Sequence, residues 1–494
     1  MATTNHFDLL VLGGDIAGLA AAALAAGRGL RVCVLPGDHP DGVVTLGHRT
    51  FPLQTAPFTA VSSPFVRVVY EELGLWLQMR RDIRAIPGLH HWRLSEASLD
   101  VRSGDENLDH EFSRSVDAPP LSPELRPSVA AAMEEEMEQL FRAAGLDPPV
   151  HRAIASEDAA TTRAPKVSAS KRELAAEMLG VDALAGWLSD APPKTTPAAV
   201  RHRLRAHWGE GPLDFSGGLG GLRTQLISRI HSRSSEVKPR VHVDRIDVKR
   251  GRVSGVKLRG KNEHYGCDAL LLACDPIDIF GKAAEVGGLS RDFARRLASV
   301  QRPTRRYVLH VAVGALGVSP VFSETLIATC PQSEEAPIQT LFVRRLDGAL
   351  VDASPDTICL SVTAVVPSEI PTARLRELTI AALRRHGGLP FLDDHMRWSY
   401  SPNDTLGVVS RGVTDTQGSS SKKRPHGMES LYAFEGAGIG DGLPLETGVK
   451  RLLYAGRMSY PQLGLEGQYI AGLAAADGLS ESKRGAASPR LVRR

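Results

Sequence analysis

Cysteine is scarce: 494 residues hold five, Cys33, Cys267, Cys274, Cys330 and Cys359. They are scattered, odd in number and free of CxxC spacing, which argues against a disulfide framework, a redox dithiol and a zinc site. Cys33 and Cys359 lie in apolar strand-like runs, where a buried, inert thiol is expected. Charge of one sign is lacking too. The formal net charge is +3, too small to make nucleic acid or a membrane surface the partner. Nor is there a long uncharged apolar run. The richest stretch, Phe7 to Val34, is broken by Asp8, Asp15, Arg28 and Arg31, and no part reaches the roughly 18 residues of a spanning helix. Met1 to His6 lacks the basic region and cleavage site of a signal peptide, so a cytoplasmic location is expected.

What is present is the composition of a globular protein, 42% apolar and 23% charged, with a length that predicts two or three domains. Phe7 to Leu12 reads as a buried parallel strand, Leu19 to Ala26 as a helix, and Leu30 to Leu35 as a second strand. The glycines between them make this a βαβ unit, the opening of a doubly wound sheet. Residues 65–144 read as largely helical, with the acids at 134–138 on a solvated face. Ala153 to Ser170 reads as a linker, and Lys171 to Trp187 and Ala198 to Trp208 as helices. A glycine stretch at Ser216 to Gly221 lacks the Lys-Ser/Thr ending of a phosphate loop and is expected to be a domain-crossing turn, followed by a helix over Leu222 to Arg229. The alternating runs Val241 to Val248 and Val253 to Leu258, joined at Lys249 to Arg252, predict a hairpin, and Ala269 to Ala273 a strand ending at Asp275-Pro276. Tyr307 to Val313 and Ile358 to Val365 read as strands, Thr372 to Arg385 as a helix, and Gln417 to Pro425 as a polar surface loop. Arg451 to Ala455 reads as a strand and Glu466 to Asp477 as a helix. His90 and His91 are adjacent, point different ways and have no third ligand in view, so loop or surface histidines are expected and no metal.

Three regions carry a family resemblance. Gly13-Gly14-Asp15-Ile16-Ala17-Gly18, Ser216-Gly217-Gly218-Leu219-Gly220-Gly221 through Cys274-Asp275-Pro276, and Tyr454-Ala455-Gly456 through Glu466-Gly467 occur in the order and spacing of FAD-dependent oxidoreductases. The chain resembles the phytoene desaturase and amine oxidase group. The resemblance implies an α/β fold: a Rossmann-like FAD/NAD(P)-binding doubly wound sheet beside a second α+β substrate-type domain, the glutathione reductase and amine oxidase-like architecture. It predicts a discontinuous dinucleotide domain from residues 1–60, 211–285 and 445–480. A substrate-type domain follows from residues 61–210 and 286–444, and residues 481–494 form a basic disordered tail. If FAD is retained, the residues it implies are Gly13, Gly14 and Gly18 at the diphosphate and Asp38 at the ribose. Val243 would lie at the adenine, Gly456 and Arg457 at the C-terminal turn, and Gly464 and Gly467 facing the flavin.

Four positions depart from that pattern. Asp15 replaces the glycine that lets the backbone approach the diphosphate, placing an anion beside two phosphate charges; a helix N-cap is the bland reason for Asp there. Pro36 stands where the family has the ribose-binding acid. Asp41-Gly42-Val43 replaces a Gly-Gly pair near the flavin, and Arg457 stands where many relatives have Asp, although an arginine can also pair with a phosphate. The departures favour a non-catalytic pseudoenzyme, a binding or scaffold protein on a flavoprotein fold, with a protein or an apolar small molecule as its partner. The Rab GDP-dissociation inhibitors, which resemble these flavoproteins, offer the analogy. The alternative is an active FAD-dependent oxidoreductase taking hydride from an apolar polyene or amine. No catalytic residue and no flavin-attachment motif is identified.

Overall fold

The computed structural model describes residues 5–37, 43–46, 49–53, 63–86, 89–93, 98–102, 188–192, 213–215, 217–260, 263–280, 288–319, 322, 324–331, 333, 336–346, 354–410, 413–415, 425–434 and 442–484. Asp38, Asp41, Ser216, the acids at 134–138, the 153–170 linker, the helices read at 171–187 and 198–208, and the loop at 417–424 lie outside them.

The chain opens with β1 (Asn5–Leu12), α1 (Ile16–Gly27) and β2 (Val32–Leu35). β1 is parallel to β2, and its own backbone continues as a turn because Gly13 adopts φ +111°. Two antiparallel hairpin strands, β3 (Val43–Leu46) and β4 (Arg49–Pro52), follow. Next come α2 (Pro64–Glu72), α3 (Trp76–Asp82) and the strands β5 (Ile83–Ala85), β6 (Leu89–Arg93) and β7 (Ser98–Arg102). The largely helical reading of 65–144 therefore holds only to Asp82 among the described residues. His90 and His91 are buried in β6, not on a surface: His90 Nδ1 meets Thr325 Oγ1 at 2.7 Å and His91 Nδ1 meets Asp100 at 2.7 Å.

β8 (Leu213–Phe215) pairs with β5 and leads into α4 (Gly218–His231). This helix starts within the glycine stretch and not after it, because left-handed Gly217 (φ +76°) sits at its N-cap. β9 (Glu236–Val237), β10 (Val243–Lys249), β11 (Arg252–Leu258) and β12 (His264–Leu272) come next. The β10–β11 turn has positive φ at Arg250 and Gly251, the twist a two-residue hairpin favours. α5 (Pro276–Phe280) and α6 (Arg291–Ser299) lead to a run of strands: β13 (Gln301–Gly314), β14 (Thr325–Thr329), β15 (Thr340–Leu346) and β16 (Thr357–Pro367). After α7 (Thr372–His386) and α8 (Leu392–His395) come β17 (Met396–Tyr400), β18 (Val408–Ser410), β19 (Val413–Asp415), β20 (Glu429–Ala433), β21 (Leu452–Tyr454) and α9 (Gly464–Arg484). α9 runs to Arg484, so the stretch read as a tail from 481 begins as helix.

Two large sheets result. The first has seven strands in the order β10-β11-β12-β1-β2-β9, with β21 added parallel to the carboxyl half of β12. α1 is buried along nearly its whole length and crosses α9 closely, since a Cβ on Gly472 would stand 2.6 Å from the Ala17 carbonyl oxygen. The opposite face of this sheet packs Phe7, Leu10, Cys33 and Leu270 with Phe293. The second sheet has ten strands in the order β19-β18-β17-β13-β16-β15-β14-β6-β7, with β20 added on β13. Alternation along β13 sends Leu309, Val311 and Val313 toward Leu375 and Leu383 of α7. The other face packs Ala312, Trp398 and Tyr400 against Phe51 of β4. Among the described residues no helix is long and apolar enough to cross a membrane, and no group of three His, Cys, Asp or Glu side chains is placed to hold a metal.

Candidate functional site

Ligands of doubly wound sheets bind at the carboxyl edge, where strand order reverses. Here that edge is formed by the ends of β2, β1, β12 and β21. Backbone bonds knit it together: Gly13 N–H to Leu35 O at 2.9 Å, Asp15 N–H to Ala273 O at 3.3 Å, and Ala455 N–H to Leu272 O at 2.9 Å. Gly13 and Gly18 are both fixed by Ala273. A Cβ on Gly13 would lie 2.0 Å from its carbonyl oxygen, and one on Gly18 2.2 Å from its Cβ. Gly14 is buried between them.

Asp15 holds the N-cap position of α1 with extended backbone, but its side chain makes no capping bond. Its charge is felt by Tyr432 and Tyr454. Burial raises both phenols, and Asp15 and Asp275 raise them further. Pro36 is half-buried at the end of β2. The residues that lie against that end are Lys238, whose N–H reaches Val34 O at 2.9 Å, and Arg240, whose N–H reaches Gly37 O at 3.2 Å. Val243 opens β10 opposite Leu258, near the far side of the sheet. Val43 lies on the β3–β4 hairpin, 42% exposed, in the layer that covers the second sheet.

The C-terminal turn is engaged by a short strap, Leu188 to Pro192, that the sequence did not single out. A Cβ on Gly464 would stand 1.9 Å from the Leu188 carbonyl oxygen, so glycine there admits the strap's backbone. Gly467 faces Tyr460 O at 2.4 Å by the same measure, and Gly456 the Tyr454 hydroxyl at 2.8 Å. The strap is held at both sides. Asp190 N–H donates to Pro461 O at 2.6 Å, and Tyr432 N–H donates to Asp190 O at 2.7 Å. The buried Asp190 carboxylate accepts from Arg457 Nε at 3.0 Å, from Gln468 Nε2 at 3.4 Å and from Arg306 at 3.5 Å. Arg306 also donates to the Ser189 carbonyl. Burial alone would lower the Arg457 pKa, but Asp190 and Glu429 hold it well above the ordinary value. The Tyr432 ring meets two guanidinium groups, Arg457 at 5.6 Å and Arg302 at 5.9 Å from its centre. Arg302 is paired with Asp275, which also accepts from Tyr432 Oη at 3.3 Å. Asp190, Asp275 and Glu429 thus pair with Arg302, Arg306 and Arg457.

The fold is that of the two-domain, FAD-dependent amine oxidases. The chain is similar to cyclohexylamine oxidase from Brevibacterium oxydans, with 16% identity, a TM-score of 0.51, and coverage of 97% of this chain and 99% of that one. An oxidoreductase from Methanosarcina mazei matches at 13% identity and TM-score 0.53, over 95% and 99% of the two chains. Putrescine oxidase, in a structure with bound putrescine, matches at 13% and 0.53, over 97% and 100%. At these identities the likeness establishes the fold. No protein-family model matches the chain, and no curated protein sequence matches it.

Proposed function

We propose that this chain uses the amine-oxidase fold as a cytoplasmic binding scaffold and carries out no flavin chemistry. The observation that carries the reading is the strap: the Leu188 carbonyl lies on Gly464, the turn that the family resemblance assigns to the flavin, and Asp190 is clamped there by Arg457. Set against FAD, the residues of the carboxyl edge do not fit. Asp15 brings a negative charge to the amino end of α1, where a diphosphate would need the free N–H groups and the positive helix end. Two unit charges about 4 Å apart repel by roughly 4 kcal/mol at an effective dielectric near 20. Arg457, at the C-terminal turn, is paired with Asp190. Pro36 offers the ribose no acceptor side chain.

A protein partner is supported by Leu316 and Phe391, 86% and 60% exposed, on a 3-10 turn and a helix end that pack together. Large apolar side chains left exposed on neighbouring elements suit a contact surface. Five free cysteines agree with a reducing compartment. The alternative, an active oxidoreductase of an apolar polyene or amine, is favoured by the preserved close approach of Gly13 and Gly18 to Ala273.

One measurement separates the two. The purified chain should show no flavin absorbance and gain no thermal stability from excess FAD, whereas a ligand at about 100 times its Kd adds about 2.7 kcal/mol. FAD released on denaturation in near-stoichiometric amount would overturn the proposal.

A further inference from the structure

A cleft of about 520 Å³ opens at the amino end of β21, between the turn at residues 445–451 and the last turns of α9. It lies across the sheet from Gly13, Asp15 and Arg457, which follow the carboxyl ends of their strands. Its volume falls within the roughly 300–1,000 Å³ of small-molecule sites. Arg252, Lys450 and Arg451 line it, with Glu446 as the one acid among its lining residues. None of the three cations makes an ion pair or side-chain hydrogen bond with a described residue. Leu445 and the buried Leu479 supply an apolar wall.

The backbone holds the cations together. Arg252 and Lys450 are bridged as parallel neighbours. Val253 N–H donates to Lys450 O at 3.1 Å, and Lys450 N–H to Gly251 O at 3.0 Å. Arg451 sits in the left-handed region, φ +68°, a conformation that glycine adopts without strain. Leu270 N–H fixes its carbonyl at 2.8 Å. Gly448 lets this turn press on Ser290, whose nitrogen would be 2.2 Å from a Cβ there. Three like charges lining one cleft repel each other, and an anion among them relieves the repulsion. Arginine forks match the oxygens of a carboxylate or phosphate, and the leucine wall accommodates an attached hydrocarbon.

We propose that this cleft binds an amphipathic anion: one carboxylate or phosphate head on a short apolar body. The proposal is independent of whether the carboxyl edge holds a flavin. Gly478 provides a direct test, because a Cβ built on it meets nothing nearer than Leu445 Cδ2 at 4.0 Å. A larger side chain there projects into the cleft, and in a helix leucine is favoured over glycine, so Gly478→Leu blocks the site without weakening α9.

The full chain is titrated calorimetrically with octyl phosphate below its micellar concentration, and with inorganic phosphate and octyl glucoside as the head-only and tail-only probes. Octyl phosphate should bind saturably at a single site, with both other probes at least about tenfold weaker, the weight of one charge-assisted bond. Arg252→Gln with Lys450→Gln should weaken it by about tenfold or more, and Gly478→Leu should abolish it, with melting temperatures unchanged or raised. Cosedimentation with phosphatidic acid vesicles that is lost in Gly478→Leu would assign the head group to a lipid. Octyl phosphate binding without cosedimentation would assign it to a free solute. Equal binding of inorganic phosphate or octyl glucoside, or wild-type affinity in either variant, would overturn the site.

Discussion

The Asp190 carboxylate and the Arg457 guanidinium form a buried ion pair across 267 residues of sequence, with Nε 3.0 Å from Oδ1 and side-chain exposures of 6% and 15%. Removing one member of such a pair leaves the other charge without compensation inside the protein, at a cost of about 3–5 kcal/mol. Asp190→Ala should therefore destabilise the chain toward the lower end of that range in denaturant unfolding, because Glu429 still pairs with Arg306 at 3.2 Å and lies 3.9 Å from Arg457. Replacing both members, Asp190→Leu with Arg457→Met, should cost less than Asp190→Ala alone. A loss under about 1 kcal/mol for Asp190→Ala would mean that the strap is held by its backbone bonds only.

The glycines of α1 and of the turn before it predict opposite outcomes for one chemical change. Gly18→Ala drives a methyl group to 2.2 Å from Ala273 Cβ, and overpacking of this kind costs about 1–3 kcal/mol. Gly13→Ala should cost more, since its methyl meets a backbone carbonyl and its φ of +111° is strained for any side chain. Gly27→Ala, with nothing within 4 Å, should be neutral or stabilising by up to about 1 kcal/mol. Melting temperatures in the order Gly27→Ala, Gly18→Ala, Gly13→Ala, highest first, test the packing of α1 on the sheet without reference to any ligand.

What the sequence made legible was local. Continuous apolar runs marked β1 and β2, the Arg250-Gly251 turn joined β10 to β11, and the helix read over Thr372 to Arg385 matches α7 to within a residue. Polar residues buried by distant partners were not legible. His90 and His91 read as loop histidines because their partners are Thr325, 235 residues away, and Asp100, across a hairpin. Asp190 gave no signal at all, since nothing near it in the chain hints at Arg457, Arg306 or Gln468. At the site, glycine was ambiguous in kind: Gly464 reads as room for a flavin, yet the atom it admits is the Leu188 carbonyl oxygen. Spacing reveals that a backbone must be approached closely, but not by what.

His310 predicts an acid-sensitive second sheet. It is fully buried beside Phe51 and Tyr400, with ring centres at 5.3 and 6.1 Å, and burial pushes its imidazole down to about 3. With the folded value below the unfolded one, the unfolded chain takes up the proton first as pH falls. Stability is therefore full above about 6.5, declines from there to about 3, and levels off below that. His90, down to about 4, acts in the same direction. His310→Phe should reduce the slope of unfolding free energy between pH 6 and pH 4 by roughly one proton, or about 1.4 kcal/mol per pH unit. An unchanged slope would place the acid sensitivity elsewhere.

Placing at the carboxyl edge the residues that the flavoprotein resemblance implies separates its two halves. Asp15→Gly with Pro36→Glu removes the anion facing a diphosphate and supplies a ribose acceptor, so the double variant should bind the adenosine diphosphate portion of FAD. The strap is untouched by these changes, and the Leu188 carbonyl still lies on Gly464 where the ring would need to approach. ADP and FAD should then bind the double variant with affinities within about threefold of each other, because the ring finds no contact to add. Adding Asp190→Ala, which frees Arg457 and loosens the strap, should raise FAD affinity selectively and leave ADP unchanged. If FAD already binds the double variant more than about tenfold tighter than ADP, the ring has room beside Gly464, and the strap does not exclude it.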